Sequence, residues 1–263
     1  GQAFFFPGQF SHRAGVYMEK YGAEASRLGM AHWYARSIEH ARRCPEAQEH
    51  FNKDADLVGK GLTPPNPKTF LPHLNLYDCS KVSDCAAALL VCSAEGLERL
   101  GIPRSKAARV VGFGQSEADL TRPPADPAAL ATTRVSASKA LEMAGIGLKE
   151  LGVLELHDCF SITGLLSIEA LGLAGPGEGA AYVAAGKTRF DGEMPTNCSG
   201  GLCGFGHPTG GSGVRMAVHL MQQVTGQAGP YQVGLPKERP YGLMVSMGGN
   251  DITVSAMIIR RAD

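Results

Sequence analysis

The chain has 263 residues, 44% of them hydrophobic and 19% charged. That size and balance allow one large domain or two modest ones with a substantial core, and exclude a disordered chain of low hydrophobicity. Lys plus Arg and Asp plus Glu both number 25, so zero net charge gives no footing for nucleic acid or an anionic membrane as a bulk partner. A local basic patch for a phosphorylated ligand stays open.

Seven cysteines, an odd number spread along the chain, make no disulfide framework and favour a reducing compartment. No apolar run reaches membrane-spanning length, and no signal peptide is evident. The opening Gly1-Gln2-Ala3-Phe4 lacks a Met, which fits a fragment or a processed product.

Phe4-Phe5-Phe6-Pro7-Gly8 reads as an apolar stretch that is then broken. Arg13 to Lys20 and Ala25 to Cys44 carry helical spacing, and Pro45 stops the second helix. Residues 52–73 are polar and Pro-rich, with no clear element. Ala86 to Cys92 predicts a buried strand, with Ser93 capping a short helix to Leu100. Ala108 to Phe113 predicts a second strand. Asp126 to Ala144 predicts a helix, with Pro127 in its first turn and Gly145 at its end. Strand Val153 to His157 precedes helix Ile162 to Leu173, and helix Val214 to Val224 leaves a Gly-rich loop. Strands Tyr241 to Met247 and Ile252 to Ile259 are joined by a tight turn at Gly248-Gly249-Asn250-Asp251. Strands alternating with helices make the fold class α/β. No repeat with a period of roughly 20 to 50 residues is visible.

Three segments can carry chemistry. His157-Asp158-Cys159-Phe160 lies where a strand gives way to a helix, so His157 and Cys159 are spaced to share a face. A thiol beside an imidazole and a helix N-terminus loses its proton more readily and suits proton transfer or nucleophilic work. Taken alone, four residues fit a buried Cys beside a backbone-bonded His better. The second segment runs from Cys198-Ser199-Gly200-Gly201 through Gly206-His207-Pro208 to Gly213. A His held in a Gly-rich loop before a helix lies near N–H donors that favour developing negative charge. The loop fails as a phosphate loop because no Lys-Ser or Lys-Thr follows its glycines. Thr209 also occupies the last position of a would-be dinucleotide fingerprint. Ser246-Met247-Gly248-Gly249 by itself is a hairpin turn. Zinc at Cys159, Cys198, Cys203 and two His residues ranks lower, because the ligand spacing matches no structural finger. Cys44, Cys79, Cys85 and Cys92 read as core or incidental residues.

In order along the chain, these segments resemble the thiolase superfamily, nearest the sterol-carrier-protein-2 type. His157-Asp158-Cys159-Phe160 is similar to that type's signature, where other thiolases carry Asn-Glu-Ala-Phe. Ser199-Gly200-Gly201 with Gly206-His207-Pro208 is similar to the family's Ser-Gly-Gly and Gly-His-Pro segment. Ser83-Asp84-Cys85-Ala86-Ala87-Ala88 is similar to the strand that closes its amino-terminal domain. The resemblance implies a layered αβαβα fold, a mixed sheet covered by helices. It implies part of a loop domain over 1–75, the end of the amino-terminal domain over 76–105 and the carboxy-terminal domain over 106–263.

It also implies roles. His157 and His207 would form an oxyanion hole, Cys159 would act as acid/base, and Gly248, with Ser199, would serve a second oxyanion hole and substrate binding. Coenzyme A and acyl-CoA are the implied partners, as substrates rather than cofactors. No metal, no nucleic acid and no membrane span are expected. A homodimer or homotetramer is expected, in a peroxisome-like organelle or mitochondrion, or in the cytoplasm of a bacterium. Ser246-Met247-Gly248 stands where most thiolases carry Cys-x-Gly, which places the acid/base role on Cys159. None of the cysteines fits the family's nucleophile, which the resemblance would put before Gly1. The implied activity is acyl transfer between 3-ketoacyl-CoA and CoA. Rival readings are a thiolase-fold retro-aldolase acting on a CoA ester and an inactive acyl-CoA-binding module.

Overall fold

The computed structural model describes residues 4–263. Helix α1 spans Phe5–Tyr21 and α2 spans Ala23–Ala41, divided by Gly22 at φ 98°. The break expected at Pro7-Gly8 does not occur. Pro7 sits in the first turn, where a missing N–H has no partner to lose, and the Gly8 N–H closes onto the Phe4 carbonyl at 2.8 Å. Residues 52–73 do hold one short helix, α3 (Leu57–Gly61), whose start is fixed by the Asp56 carboxylate on the Gly59 N–H at 2.7 Å.

The strand expected at Ala86–Cys92 is not formed. Residues 80–93 form no helix and no ladder, and Leu90 and Val91 are 71% and 80% exposed. The residue types suit a buried strand, but no neighbouring strand among the described residues offers the backbone partners a strand needs. Cys85 and Cys92 are exposed here rather than core residues. The Ser93 hydroxyl accepts from the Gly96 N–H at 3.1 Å and starts α4 (Ala94–Arg99), as expected.

Four strands form one mixed sheet: β1 (Ala108–Glu117), β2 (Leu151–Leu156), β3 (Tyr241–Gly248) and β4 (Thr253–Arg261), in the order β1-β4-β3-β2. β2 and β3 are parallel, with Leu156 opposite Val245, while β4 runs antiparallel to both β3 and β1. Every residue of β2 is buried, as expected of a strand covered on both faces. Alternation along β3 sends Leu243 and Val245 into the main core and Met244 to the opposite face. Helix α5 (Ala131–Ala144) packs on the first face, and α9 (Ser212–Thr225) packs on the second.

Helix α6 (Ser161–Ala170) is buried at every position, which marks it as a central-layer helix. Beyond it lie α1, α2 and the short α7 (Gly179–Ala184). Phe10, Tyr17, Met30 and Trp33 belong to the same core as Leu154, Leu165 and Val245, while Tyr34, Ala35, Ile38 and Leu57 form a smaller cluster of their own. The fold is thus α/β with a helix-covered mixed sheet. Of a layered αβαβα arrangement, the described residues supply one β layer.

Helix α5 begins at Ala131 rather than at Asp126. Residues 126–130 are instead a turn held from outside, since Arg13 donates to the carbonyls of Pro127 at 2.9 Å and Ala129 at 2.8 Å. The helix takes its cap from a residue distant in sequence. The buried Asp251 carboxylate accepts from the N–H groups of Thr132 at 3.0 Å and Thr133 at 2.9 Å, and from the Thr133 hydroxyl at 2.7 Å. Gly145 at φ 68° ends the helix, as expected. Replacing Asp251 leaves those donors unpaired and releases the β3–β4 turn. Asp251→Ala is therefore expected to lower stability by about 2 kcal/mol, read as a shifted urea midpoint. An unchanged midpoint would show that the cap carries no weight.

Candidate active site

His157 follows β2, and Gly248 ends β3. Because the two strands are parallel, both residues reach the same edge of the sheet. The His157 N–H donates to the Val245 carbonyl at 3.0 Å, so the ladder extends to the histidine. Helix α9 starts at this edge too, since a Cβ on its Gly213 would stand 3.4 Å from the Ser246 hydroxyl. Open α/β sheets bind ligands beyond the carboxyl ends of their parallel strands.

At this edge the structure brings His157 and His207 together, with ring centroids 5.0 Å apart and planes nearly perpendicular. The His207 backbone N–H donates to the Lys81 carbonyl at 2.9 Å and the Ser83 hydroxyl at 3.0 Å. Its ring Nδ1 meets the Ser212 hydroxyl at 2.7 Å. The Ser212 hydroxyl also lies 3.0 Å from the Pro208 carbonyl, so its proton can go to either acceptor. With the Ser212 proton turned to Nδ1, the proton of a neutral His207 lies on Nε2, where it can be donated. Burial, with the nearby Arg215 charge, lowers the His207 pKa to about 4. Burial, then His207 and Arg215, lowers that of His157 to about 3. Both rings are therefore neutral near pH 7 and can each donate one hydrogen bond to a developing oxyanion.

Cys159 does not join that pair by a direct bond. Its sulfur lies 3.7 Å from the Thr163 hydroxyl in the first turn of α6, and its side chain is buried. A neighbouring histidine and a helix N-terminus would ease loss of the thiol proton. Burial instead pushes its pKa up to about 12 and outweighs the lowering by Thr163. Cys159 therefore rests as a thiol, a proton donor rather than a ready nucleophile.

Ser199 makes no hydrogen bond to the histidine pair. Its buried hydroxyl meets His219 Nδ1 at 2.7 Å and accepts from Arg215 at 3.4 Å. Gly248 is exposed at the mouth of the hairpin, where Gly249, Asn250 and Asp251 all take positive φ. Arg13 fixes that turn by donating to the Asn250 side chain and, at 3.1 Å, to its carbonyl.

Several supporting residues escaped sequence reasoning. Asp158 is fully buried, and its carboxylate accepts from the Trp33 indole at 2.9 Å and the Leu202 N–H at 2.7 Å. Arg36 lies 3.9 Å from it, stacked on the Trp33 ring. Burial holds the Asp158 carboxyl above the usual range, against the lowering by Arg36. Leu202 belongs to the short helix α8 (Gly201–Gly204). Gly201 has φ 63°, and a Cβ there would come 2.5 Å from the Asp158 carboxylate. Asn197 mimics a strand beside β2, accepting from the Leu156 N–H at 2.6 Å and donating to the Leu156 carbonyl at 3.0 Å. Asp158 and Gly201, each inside a motif already singled out, had a sequence signal; the others reach the site from distant segments.

The Cys159 environment has a direct readout. Thiolate absorbance in wild type minus Cys159→Ala is expected to stay flat from about pH 6 to about pH 10. A thiolate contribution from Cys159 near pH 8 would contradict the resting thiol.

Residues 115–261 match the family described as thiolase C-terminal domain-like. An acetyl-CoA acetyltransferase from Methanothermobacter thermautotrophicus is 32% identical over 99% of this chain and 64% of its own length. Sterol carrier protein 2 from Rattus norvegicus is 31% identical over 87% of this chain and 41% of its own length. The chain thus spans under two thirds of these relatives. Among solved structures, an Ltp2–ChsH2(DUF35) aldolase aligns over 97% of this chain and 63% of its own, with TM-score 0.80 and 19% identity. The Bacillus anthracis acetyl-CoA acetyltransferase aligns over 95% of this chain and 59% of its own, with TM-score 0.66 and 19% identity. By its matched domain and by the relatives that run along nearly all of it, the chain belongs to the thiolase superfamily.

Proposed function

We propose that this chain supplies the oxyanion hole and the proton donor of a sterol-carrier-protein-2-type thiolase, which transfers an acyl group between 3-ketoacyl-CoA and CoA. The observation that supports it most is the neutral, nearly perpendicular His157–His207 pair at the carboxyl ends of β2 and β3. In the cleaving direction, a cysteine from outside these residues attacks the 3-keto carbon. The bond between C2 and C3 breaks, and its electron pair passes into the enolate of the departing acyl-CoA. His157 and His207 each donate a hydrogen bond to the enolate oxygen. Cys159 gives its proton to C2. The CoA thiol then takes the acyl group from the cysteine. Gly248 belongs to the second oxyanion hole. Ser199 is buried against His219 and Arg215, so in this reading it supports the site rather than touching substrate.

A retro-aldol cleavage of a 3-hydroxyacyl-CoA is the second reading. Two observations favour it. Ser246 stands where most thiolases place a second reactive cysteine, and the resting Cys159 thiol suits a single proton donation better than a cycle of uptake and release. The aldolase among the structural neighbours shares the fold. Residue ranges follow the same proposal: 106–263 is the carboxy-terminal domain, 76–105 the end of the amino-terminal domain and 1–75 part of the loop domain. A dimer or larger assembly and an organellar or bacterial cytoplasmic setting go with this reading.

In the protein that carries this chain, His207→Ala and Cys159→Ala are each expected to lower kcat for 3-ketoacyl-CoA thiolysis by about 100-fold or more. Wild-type rates in both variants would overturn the assignment. CoA-independent cleavage of a 3-hydroxyacyl-CoA, with no thiolysis, would select the aldolase reading.

A further inference from the structure

Behind the histidine pair lies a second cluster of buried polar atoms. Glu155 sits two residues before His157 on the same strand path, so both side chains point to the α9 face, roughly 7 Å apart along the strand. Arg215, on α9, packs against that face. Both carboxylate oxygens of Glu155, Nδ1 of His157, and Nε and Nη2 of Arg215 are closed off from solvent and have no hydrogen-bond partner among the described residues. Arg215 uses only Nη1, toward Ser199 and, at 3.1 Å, His219. Burial of so many unmatched polar atoms in one place is the condition under which proteins hold internal water.

We propose that Glu155 is a positioning residue for His157, acting with Arg215 through ordered water that the three side chains share. The hydrogen-bond count gives the consequence. A guanidinium only donates and a carboxylate only accepts. A water that accepts from both Nε and Nη2 of Arg215 has both lone pairs filled, so it donates one proton to Glu155 and the other to His157 Nδ1. The imidazole proton must then lie on Nε2. Oxyanion stabilisation by Nε2 requires that tautomer. A negatively charged Glu155 is needed for the count to work. Once protonated, Glu155 can donate to the water, and the water no longer dictates the tautomer.

Glu155 faces Arg215 from α9, Arg36 from α2, Asp158 beyond the end of β2, and Cys198 and Tyr231 from loops. Burial raises its pKa to about 7, with Asp158 adding and the two arginines opposing. The folded group is thus neutral below about pH 7 and charged above it, so the ordering of His157 is lost as pH falls through that value.

This inference rests on the role proposed for His157, but its first test needs no activity. Nitrogen-15 NMR of the histidine-labelled wild-type protein, with His157 assigned through His157→Gln, reads the tautomer directly. His157 is expected in the Nε2–H form at about pH 8, with Nδ1–H signal appearing as pH falls through about 7. No change in His157 across that range would overturn the proposal, whatever the enzyme catalyses. In Glu155→Gln the tautomer is expected to be mixed at every pH. Turnover should fall about tenfold with KM within twofold, and its acid limb near pH 7 should vanish. Glu155→Asp should restore the Nε2–H form at about pH 8. A Glu155→Gln enzyme with wild-type tautomer and pH profile would also overturn it. If the tautomer follows Glu155 but neither thiolysis nor aldol cleavage is seen, the positioning role stands and the proposed activity fails.

Discussion

The site depends on one buried carboxylate. Asp158 lies between His157 and Cys159 in sequence, and its oxygens are spent on groups from two other segments, the Trp33 indole and the Leu202 backbone. Those bonds tie α2 and α8 to the end of β2. A buried carboxylate without such partners is costly, so the chain must bring Trp33, Arg36 and Leu202 to it or leave it unsatisfied. With Asp158 anchored, the residues on either side leave in fixed directions. His157 faces the sheet edge, and Cys159 turns into the first turn of α6 near Thr163. The Gly200-Gly201 segment passes close only because Gly201 lacks a Cβ.

The second constraint comes from the opposite end of the chain. Arg13 holds Asn250 as well as the turn before α5, and Asp251 caps α5 itself. The hairpin that carries Gly248 is thereby pinned to α1 and α5. The two loops at the sheet edge have separate supports: the His207 loop leans on Lys81, Ser83 and α9, and the Gly248 turn leans on Arg13 and Asp251. Neither depends on the other for its shape.

Much of this was legible in the sequence because it is local. The β3–β4 hairpin announced itself through Gly-Gly-Asn-Asp, and Gly145 and Ser93 marked their helix ends as capping rules require. The His157 and His207 motifs predicted a meeting that the fold delivers. What failed was non-local. Ala86–Cys92 has the composition of a strand, but a strand is a property of pairs, and no partner lies among the described residues. The start of α5 was misplaced because Asp126 and Pro127 look like a helix opening, while the donors are satisfied by Asp251, 118 residues away from Thr133. The burial of Cys159 agrees with the reading that the four residues favour when taken alone, but its cause is not local. Its motif showed the neighbouring His and helix, but not the core that closes over it. Ser212, Ser83, Arg215 and Glu155 each sit outside any motif that would single them out as partners of a histidine ring.

Trp33 adds a practical consequence. It is the single tryptophan of the sequence, and the structure places it at the Asp158 junction, bonded through its indole N–H and covered by a guanidinium 3.9 Å from its ring. Indole emission is sensitive to a nearby charge and to the loss of a hydrogen bond at the ring nitrogen. The intrinsic fluorescence of this chain is therefore an optical gauge of one junction, the one that aims His157 and Cys159. Ligand entry, subunit docking or partial unfolding can be followed at that point without attaching a dye.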